Sequence, residues 1–232
     1  YAVISDVHGN IEALQAVLKD IKNKGIKDII FLGDAVGYGP DPDECVKTLF
    51  HTCQILLAGN HDWAVLGLTD INYFNPHAKA AILWTKDNLS EEGFSILRRF
   101  EISKEIENKK FFLVHSTPKN PTEWHYLLTL WDAEINFHYF DNSICLIGHS
   151  HYPFIIERLS SGEMITHKDK IKLDYSKRYI INAGSVGQPR DGDPRACYAV
   201  IDEWVRFYRV EYDLKKTQSK MKTYGLPQSL ID

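Results

Sequence analysis

The sequence predicts an α/β protein, a four-layer α/β/β/α sandwich of two mixed sheets. Three observations carry this expectation. Short apolar runs at residues 2–4, 29–32, 55–57, 111–114 and 144–147 each end within two residues of Gly, Asp or His, and runs of that length between turn-forming residues read as buried strands. In the first third these runs alternate with segments of helical period, the pattern of a parallel sheet with crossover helices. From residue 143 onward the chain is mostly strand-like.

Taken in order, the first strand is 2–5. Residues 11–24 place Leu14, Val17, Leu18 and Ile21 at helical spacing, with Asn10 as N-cap and Gly25 as the stop. A strand at 28–32, a helix at 43–50 and a strand at 54–58 complete a βαβαβ unit with right-handed crossovers. Asn75-Pro76 opens a further helix by capping and a fixed φ, its stripe being Ala78, Ala81, Ile82 and Leu89. Ser90 caps a shorter helix, and strand returns at 111–114. Residues 117–141 are polar and aromatic, and so long an insertion directly after a strand predicts a lid. Strands follow at 143–147, 154–159, 171–173, 179–182, 196–201 and 205–212, the last two joined by a tight hairpin at Asp202-Glu203. Asp213 caps a final helix to Tyr224, stopped by Gly225 and Pro227. No repeat or linker interrupts the chain, which predicts one domain over 1–232 with a lid insertion at 117–141.

A length of 232 residues suffices for one large domain with a full core. Lys and Arg number 27 against 31 Asp and Glu, a net charge of -4, which argues against a nucleic-acid surface. No apolar run approaches the roughly 20 residues that span a membrane, and no signal-peptide pattern opens the chain. There is no initiator Met, so residues ahead of Tyr1 are expected. Cys45, Cys53, Cys145 and Cys197 are scattered without a Cys-x-x-Cys pair. Buried free thiols in a reducing cytoplasm fit this spacing better than disulfides or zinc ligands.

The strand-like runs deliver a specific set of side chains: Asp6-Val7-His8, Gly33-Asp34, Gly59-Asn60-His61-Asp62, His115, and Gly148-His149-Ser150-His151. In open α/β sheets ligands bind beyond the carboxyl ends of strands, and five strand ends bringing His, Asp and Asn to one rim supply what a metal centre needs. These five blocks, in this order, resemble the calcineurin-like metallophosphoesterase family, and the resemblance runs from about Tyr1 to Cys197. It implies two divalent ions, one held by Asp6, His8 and His151 and the other by Asn60, His115 and His149, with Asp34 bridging them. Four imidazoles, two carboxylates and an amide suit Mn, Fe, Zn, Co or Ni better than Mg or Ca. Two such ions bring +4 and the two Asp return -2, so the site stays positive and attracts phosphate. Two ions can clamp the attacking and leaving oxygens of an in-line displacement, with a bridging hydroxide as nucleophile.

His61, beside Asn60, is expected to face substrate, stabilise the phosphoryl transition state and protonate the leaving oxygen. Asp62 either orients His61 or supports the ligands. The loop 33–40 reads as a turn beside Asp34 rather than a phosphate cradle. Other branches of the family carry an Asn/Asp-Arg pair there, and this chain has Gly37-Tyr38, a departure that argues against a phosphoprotein phosphatase. Arg190 or Arg195, from the loop after residue 182, are the candidates for a phosphate grip. Trp124, Tyr126 and Trp131 stack a nucleobase or pack the lid, and His125 and His138 lie in the same insertion. His51, His77 and His167 read as surface residues. The resemblance is to the small prokaryotic phosphodiesterase branch, which includes asymmetrical diadenosine tetraphosphate hydrolases. The expected activity is hydrolysis of a small phosphodiester or nucleotide phosphoanhydride. The alternatives are a non-catalytic scaffold of the same fold, which the intact His61 opposes, and a nuclease, a phosphomonoesterase or a protein phosphatase.

Overall fold

The computed structural model describes residues 1–106 and 110–231. The first sheet is built on β1 (Ala2–Ile4), β2 (Ile29–Phe31) and β3 (Ile55–Leu56), which pair in parallel with Val3 opposite Ile30 and Ile30 opposite Ile55. Their crossovers are α1 (Ile11–Asn23) and α2 (Pro42–Thr52). Asn10 Oδ1 caps α1 by accepting from the Ala13 N–H at 3.1 Å. The α1 face of Leu14, Val17 and Ile21 is fully buried, each side chain contributing about 1.5–3 kcal/mol by leaving water.

After β3 come three helices, α3 (Asn60–Leu66), α4 (Pro76–Asn88) and α5 (Glu91–Leu97). Asn75 and Ser90 cap the last two as their positions predicted. The second sheet then begins with β4 (Ser103–Ile106), antiparallel to β5 (Phe111–Val114). The 117–141 segment contains α6 (Leu130–Asn136), opened by a Thr129/Asp132 capping box. Next are β6 (Ile144–Ile147), β7 (Phe154–Arg158), β8 (Met164–His167), β9 (Lys170–Lys172), β10 (Arg178–Asn182), β11 (Ala196–Ile201), β12 (Trp204–Val210) and α7 (Leu214–Thr223).

Two six-stranded mixed sheets result, ordered β3-β2-β1-β11-β12-β9 and β4-β5-β6-β10-β7-β8. Strand alternation sorts their side chains into layers. Val3, Ile30, Leu32 and Leu57 meet Leu113, Leu146, Tyr179 and Ile181 between the sheets. The other face of the first sheet, with Ile4, Phe31 and Tyr198, packs on α1, α2 and α3. The other face of the second, with Val114, Ile147 and Ile180, is covered by Leu127, Ala133, Phe137 and Phe140. The order is therefore helix, sheet, sheet, helix, and the C-terminal half of the 117–141 segment supplies the fourth layer.

All four cysteines are buried and free. No helix among the described residues is long and apolar enough to cross a membrane. Because β1, β2 and β3 run parallel, as do β5, β6 and β10, the carboxyl ends of each set lie on one rim.

Candidate metal centre

Asp6 and His8 follow β1, Asp34 follows β2, Asn60 and His61 open α3 just beyond β3, His115 directly follows β5, and His149 and His151 follow β6. The rims are stitched together. Asp6 N–H donates to Gly33 O at 2.9 Å, His8 N–H to Asp34 O at 3.0 Å and Gly148 N–H to His115 O at 2.9 Å. Across the sheets, His149 N–H donates to Asp6 Oδ2 at 3.1 Å. The loop after β10 is laid on the same frame: Val186 and Gly187 N–H donate to Ser5 O and Asp6 O at 3.0 and 2.9 Å, and Ser185 Oγ–H donates to Asp6 O at 2.8 Å.

Potential donor atoms converge in three overlapping groups, each with its atoms within 4.8 Å: Asp6, His8 and His151; His8, Asp34 and His61; and Asp34, His115 and His149. Three imidazoles are oriented by main-chain carbonyls. His8 Nδ1 lies 3.1 Å from Val36 O, His115 Nδ1 3.0 Å from Leu32 O and His151 Nδ1 2.6 Å from Gln188 O. These contacts assign the proton to Nδ1 and turn each Nε2 lone pair toward the others. His149 is reversed, its Nε2 lying 2.9 Å from Trp124 O. His8 Nε2 and His151 Nε2 therefore face each other at 3.1 Å, two lone pairs without a proton between them. Among the described residues, Asp6 Oδ1, Asn60 Oδ1 and His115 Nε2 are buried with no hydrogen-bond partner. Buried polar atoms are nearly always satisfied, so this cluster of orphans fits a cationic group, and the His/Asp clusters can hold divalent metal.

The backbone is strained at the same place. Asp6, His8, Asp34, His149 and His151 have φ of 54°, 49°, 59°, 66° and 62°, a left-handed conformation costing roughly 1–2 kcal/mol for each non-glycine residue. Such strain persists only where surrounding structure enforces it.

Electrostatics follow from burial. Burial opposes ionisation of Asp6 and Asp34, yet the adjoining His151 and His115 rings hold both carboxyls well below their ordinary value. Burial lowers His8, takes His61 to about 4 and takes His149 to about 3. His115 goes the other way, to about 9, because Asp34 outweighs its burial; its Nε2 lies 3.3 Å from Asp34 Oδ2.

Asp62 does not reach His61. Its carboxylate accepts from the N–H groups of Asp34, Ala35 and Gly59 at 2.9 Å each and of Val36 at 3.3 Å, pinning the loop after β2 to the start of α3. Between them, Gly59 has no room for a side chain, since a Cβ there would lie 2.1 Å from Asp34 Oδ1. His61 donates its main-chain N–H to Asp34 Oδ1 at 2.8 Å, while its ring packs on His8, Tyr38 and Phe74. His61 Nδ1 is buried without a partner.

A cleft of about 800 Å³ opens over Asn60, His61 and His149, walled by Tyr38, Tyr73, Phe74, Trp124 and Tyr126. Tyr126 stacks on the His149 ring at 4.1 Å, and Trp124 Nε1 donates to Thr69 Oγ1 at 3.2 Å. His125 lines the cleft, whereas Trp131 is 72% exposed. His138 pairs with Glu134 at 3.4 Å. Arg190 reaches Tyr38 Oη, but Arg195 is turned onto Asp193. Sequence reasoning did not find Tyr38, the Trp124 carbonyl or the 185–188 anchor, because each acts through a tertiary contact.

The uncharacterized protein MJ0912 of Methanocaldococcus jannaschii is 44% identical over 234 residues, covering 99% of this chain and 94% of that protein. A metallophosphoesterase from Sphaerobacter thermophilus superposes with a TM-score of 0.85 at 42% identity, covering 99% and 95% of the two chains. The hypothetical protein PH1004 of Pyrococcus horikoshii OT3 gives 0.77 at 25% identity, again over 99% and 95%. The calcineurin-like phosphoesterase superfamily domain matches residues 1–203, and with strand-end blocks, two-sheet architecture and matched span in agreement, the chain belongs to that superfamily.

Proposed function

We propose that this protein is a dinuclear-metal phosphoesterase that hydrolyses a small phosphodiester or nucleotide phosphoanhydride. The observation that carries the reading is the convergence of carbonyl-anchored imidazoles and orphaned Asp6, Asn60 and His115 atoms beneath one cleft. Asp6, His8 and His151 would hold one ion, Asn60, His115 and His149 the other, and Asp34 would serve both. Two transition-metal ions (Mn, Fe, Zn, Co or Ni) supply Lewis acidity and an activated water for in-line displacement.

The chain's own groups do the rest. The carbonyls of Val36, Leu32 and Gln188 fix imidazole tautomers before any ligand arrives. Burial keeps His61 neutral at physiological pH, so it serves the leaving oxygen as an N–H donor from the cleft floor. Arg190 is the candidate phosphate contact. The aromatic walls would receive the organic part of the substrate, and a nucleobase suits them. Residues 117–141 then act both as fourth layer and, through 122–126, as a lid within a single domain spanning 1–232. Four buried thiols favour a cytoplasmic location.

The test is a screen of metal-loaded protein against bis-p-nitrophenyl phosphate, dinucleoside polyphosphates and phosphoserine peptides. Diesters and anhydrides should be turned over faster than peptides. Preference for phosphopeptides would overturn the substrate class, and no turnover of any of them would overturn the enzymatic reading.

A further inference from the structure

Arg190 is held in an unusual way for an arginine flanked by acids. Its sequence neighbours Asp191 and Asp193 are both committed elsewhere. Asp191 pairs with Arg209, and Asp193 pairs with Arg195 at 2.6 Å and with Arg209 Nε at 3.9 Å. Among the described residues Arg190 makes no ion pair. Its partners are neutral: Nη2 donates to Gln188 Oε1 at 2.7 Å and lies 3.5 Å from Tyr38 Oη, and its Cζ is 5.8 Å from the Tyr38 ring centre. A cation docked only on neutral acceptors keeps its charge available for an anion.

Tyr38 is placed at a cost. It has φ 60°, and its ring wedges against His8 and His61 at 4.7 and 4.5 Å. The preceding residue must be glycine, because a Cβ at Gly37 would lie 2.3 Å from His61 Nδ1. Gln188 belongs to the loop whose carbonyl orients His151 and whose amides bind Asp6. Arg190 therefore hangs from the same frame as the candidate ligands.

We infer that Tyr38 is a positioning residue that holds Arg190 uncompensated at the edge of the centre, as a grip for the phosphoryl oxygens of substrate and product. This rests on the phosphoesterase reading, and one experiment separates the two. Metal-loaded wild type, Arg190→Gln, Arg190→Lys, Tyr38→Phe and the double variant Tyr38→Phe/Arg190→Gln are titrated with inorganic phosphate by calorimetry. Their kcat and KM on a diester are measured in parallel.

Arg190→Gln should weaken phosphate about 10–100-fold, the worth of a hydrogen bond to a charged group. Arg190→Lys, keeping charge without the fork, should recover part of the loss. Tyr38→Phe, which keeps the ring packing, should weaken phosphate several-fold. The double variant should be no weaker than Arg190→Gln, because Tyr38 acts through the arginine. If wild type binds phosphate and Arg190→Gln binds it equally well, the inference is wrong while the phosphoesterase reading stands. Additive losses in the double variant would remove Tyr38 from the positioning role. Wild type that neither binds phosphate nor cleaves the diester sinks both.

Discussion

Replacing His61 by alanine separates chemistry from metal binding. The structure sets the expectation for each. The main-chain N–H of residue 61 donates to Asp34 Oδ1 at 2.8 Å, and that bond survives the substitution, so Asp34 should keep its place and two ions should remain. The lost imidazole packs on His8, Tyr38 and Phe74 at 4.8, 4.5 and 5.2 Å. The space it leaves joins the 800 Å³ cleft and can fill with water, which keeps the stability loss toward the low end of the roughly 2–5 kcal/mol for large-to-small changes. Turnover should fall about 10²–10³-fold on alkyl or nucleotide esters, the contribution of a positioned hydrogen-bond donor to developing charge. The loss should appear in kcat rather than KM, because the hydrogen bond strengthens only as charge develops. With a nitrophenolate leaving group, which needs little help, it should shrink. Elemental analysis and paired kinetics on the two ester types check this. A variant that loses metal, or that cleaves alkyl esters at the wild-type rate, refutes the role given to His61.

Asp34→Asn should lower metal content well below two ions per chain, because its carboxylate neighbours His8 and His115 at 3.7 and 3.3 Å; unchanged elemental analysis would contradict the shared position. Arg178 donates to Phe137 O, Phe140 O and Asn142 O at the end of the fourth layer. Arg178→Ala should therefore cost about 3 kcal/mol, two or three hydrogen bonds to a charged donor, and lower the melting temperature by about 6–12 °C. An unshifted thermal transition would dismiss that estimate. Glu157 is buried, which opposes ionisation, but Lys177 at 2.7 Å and His167 at 2.8 Å hold its pKa below the ordinary 4.5. A depressed carboxylate stabilises above its unfolded pKa and loses that contribution as pH falls through the folded one. Wild type should thus exceed Glu157→Gln in stability at pH 6, with the gap closing below about pH 4.5 in urea titrations at several pH values.

The sequence carried the elements whose burial is one-sided and regular. The runs ending at Asp6, Asp34, His115 and His149 were legible because strands buried on both faces are apolar throughout, and α1 because its stripe is continuous. The two edge strands of the second sheet were not. β4 reads Ser-Lys-Glu-Ile and β8 Met-Ile-Thr-His, neither with a fully buried residue, so neither alternates clearly. The first three residues of α3 were absorbed into a ligand block, although Asp62 reaching back to the Gly59 N–H marks a helix start. In 117–141 the Thr129/Asp132 pair was the available signal for α6. At the site, the residue types and spacing were visible in one dimension. The N–H groups of Asp34, Ala35 and Val36 on Asp62, the docking of 185–188 on Asp6 and the Tyr38–Arg190 contact were not, since each joins segments 26 or more positions apart.

The left-handed backbone at Asp6, His8, Asp34, His149 and His151 sets stability and activity against each other in any laboratory selection. Glycine at any of these five positions would relieve roughly 1–2 kcal/mol of conformational strain and would delete a donor in the same step. A screen for heat tolerance alone would therefore reward the variants that dismantle the centre. The protein can be made hardier at its rim only by giving up its candidate ligands, and useful stabilisation has to come from the helical layers instead.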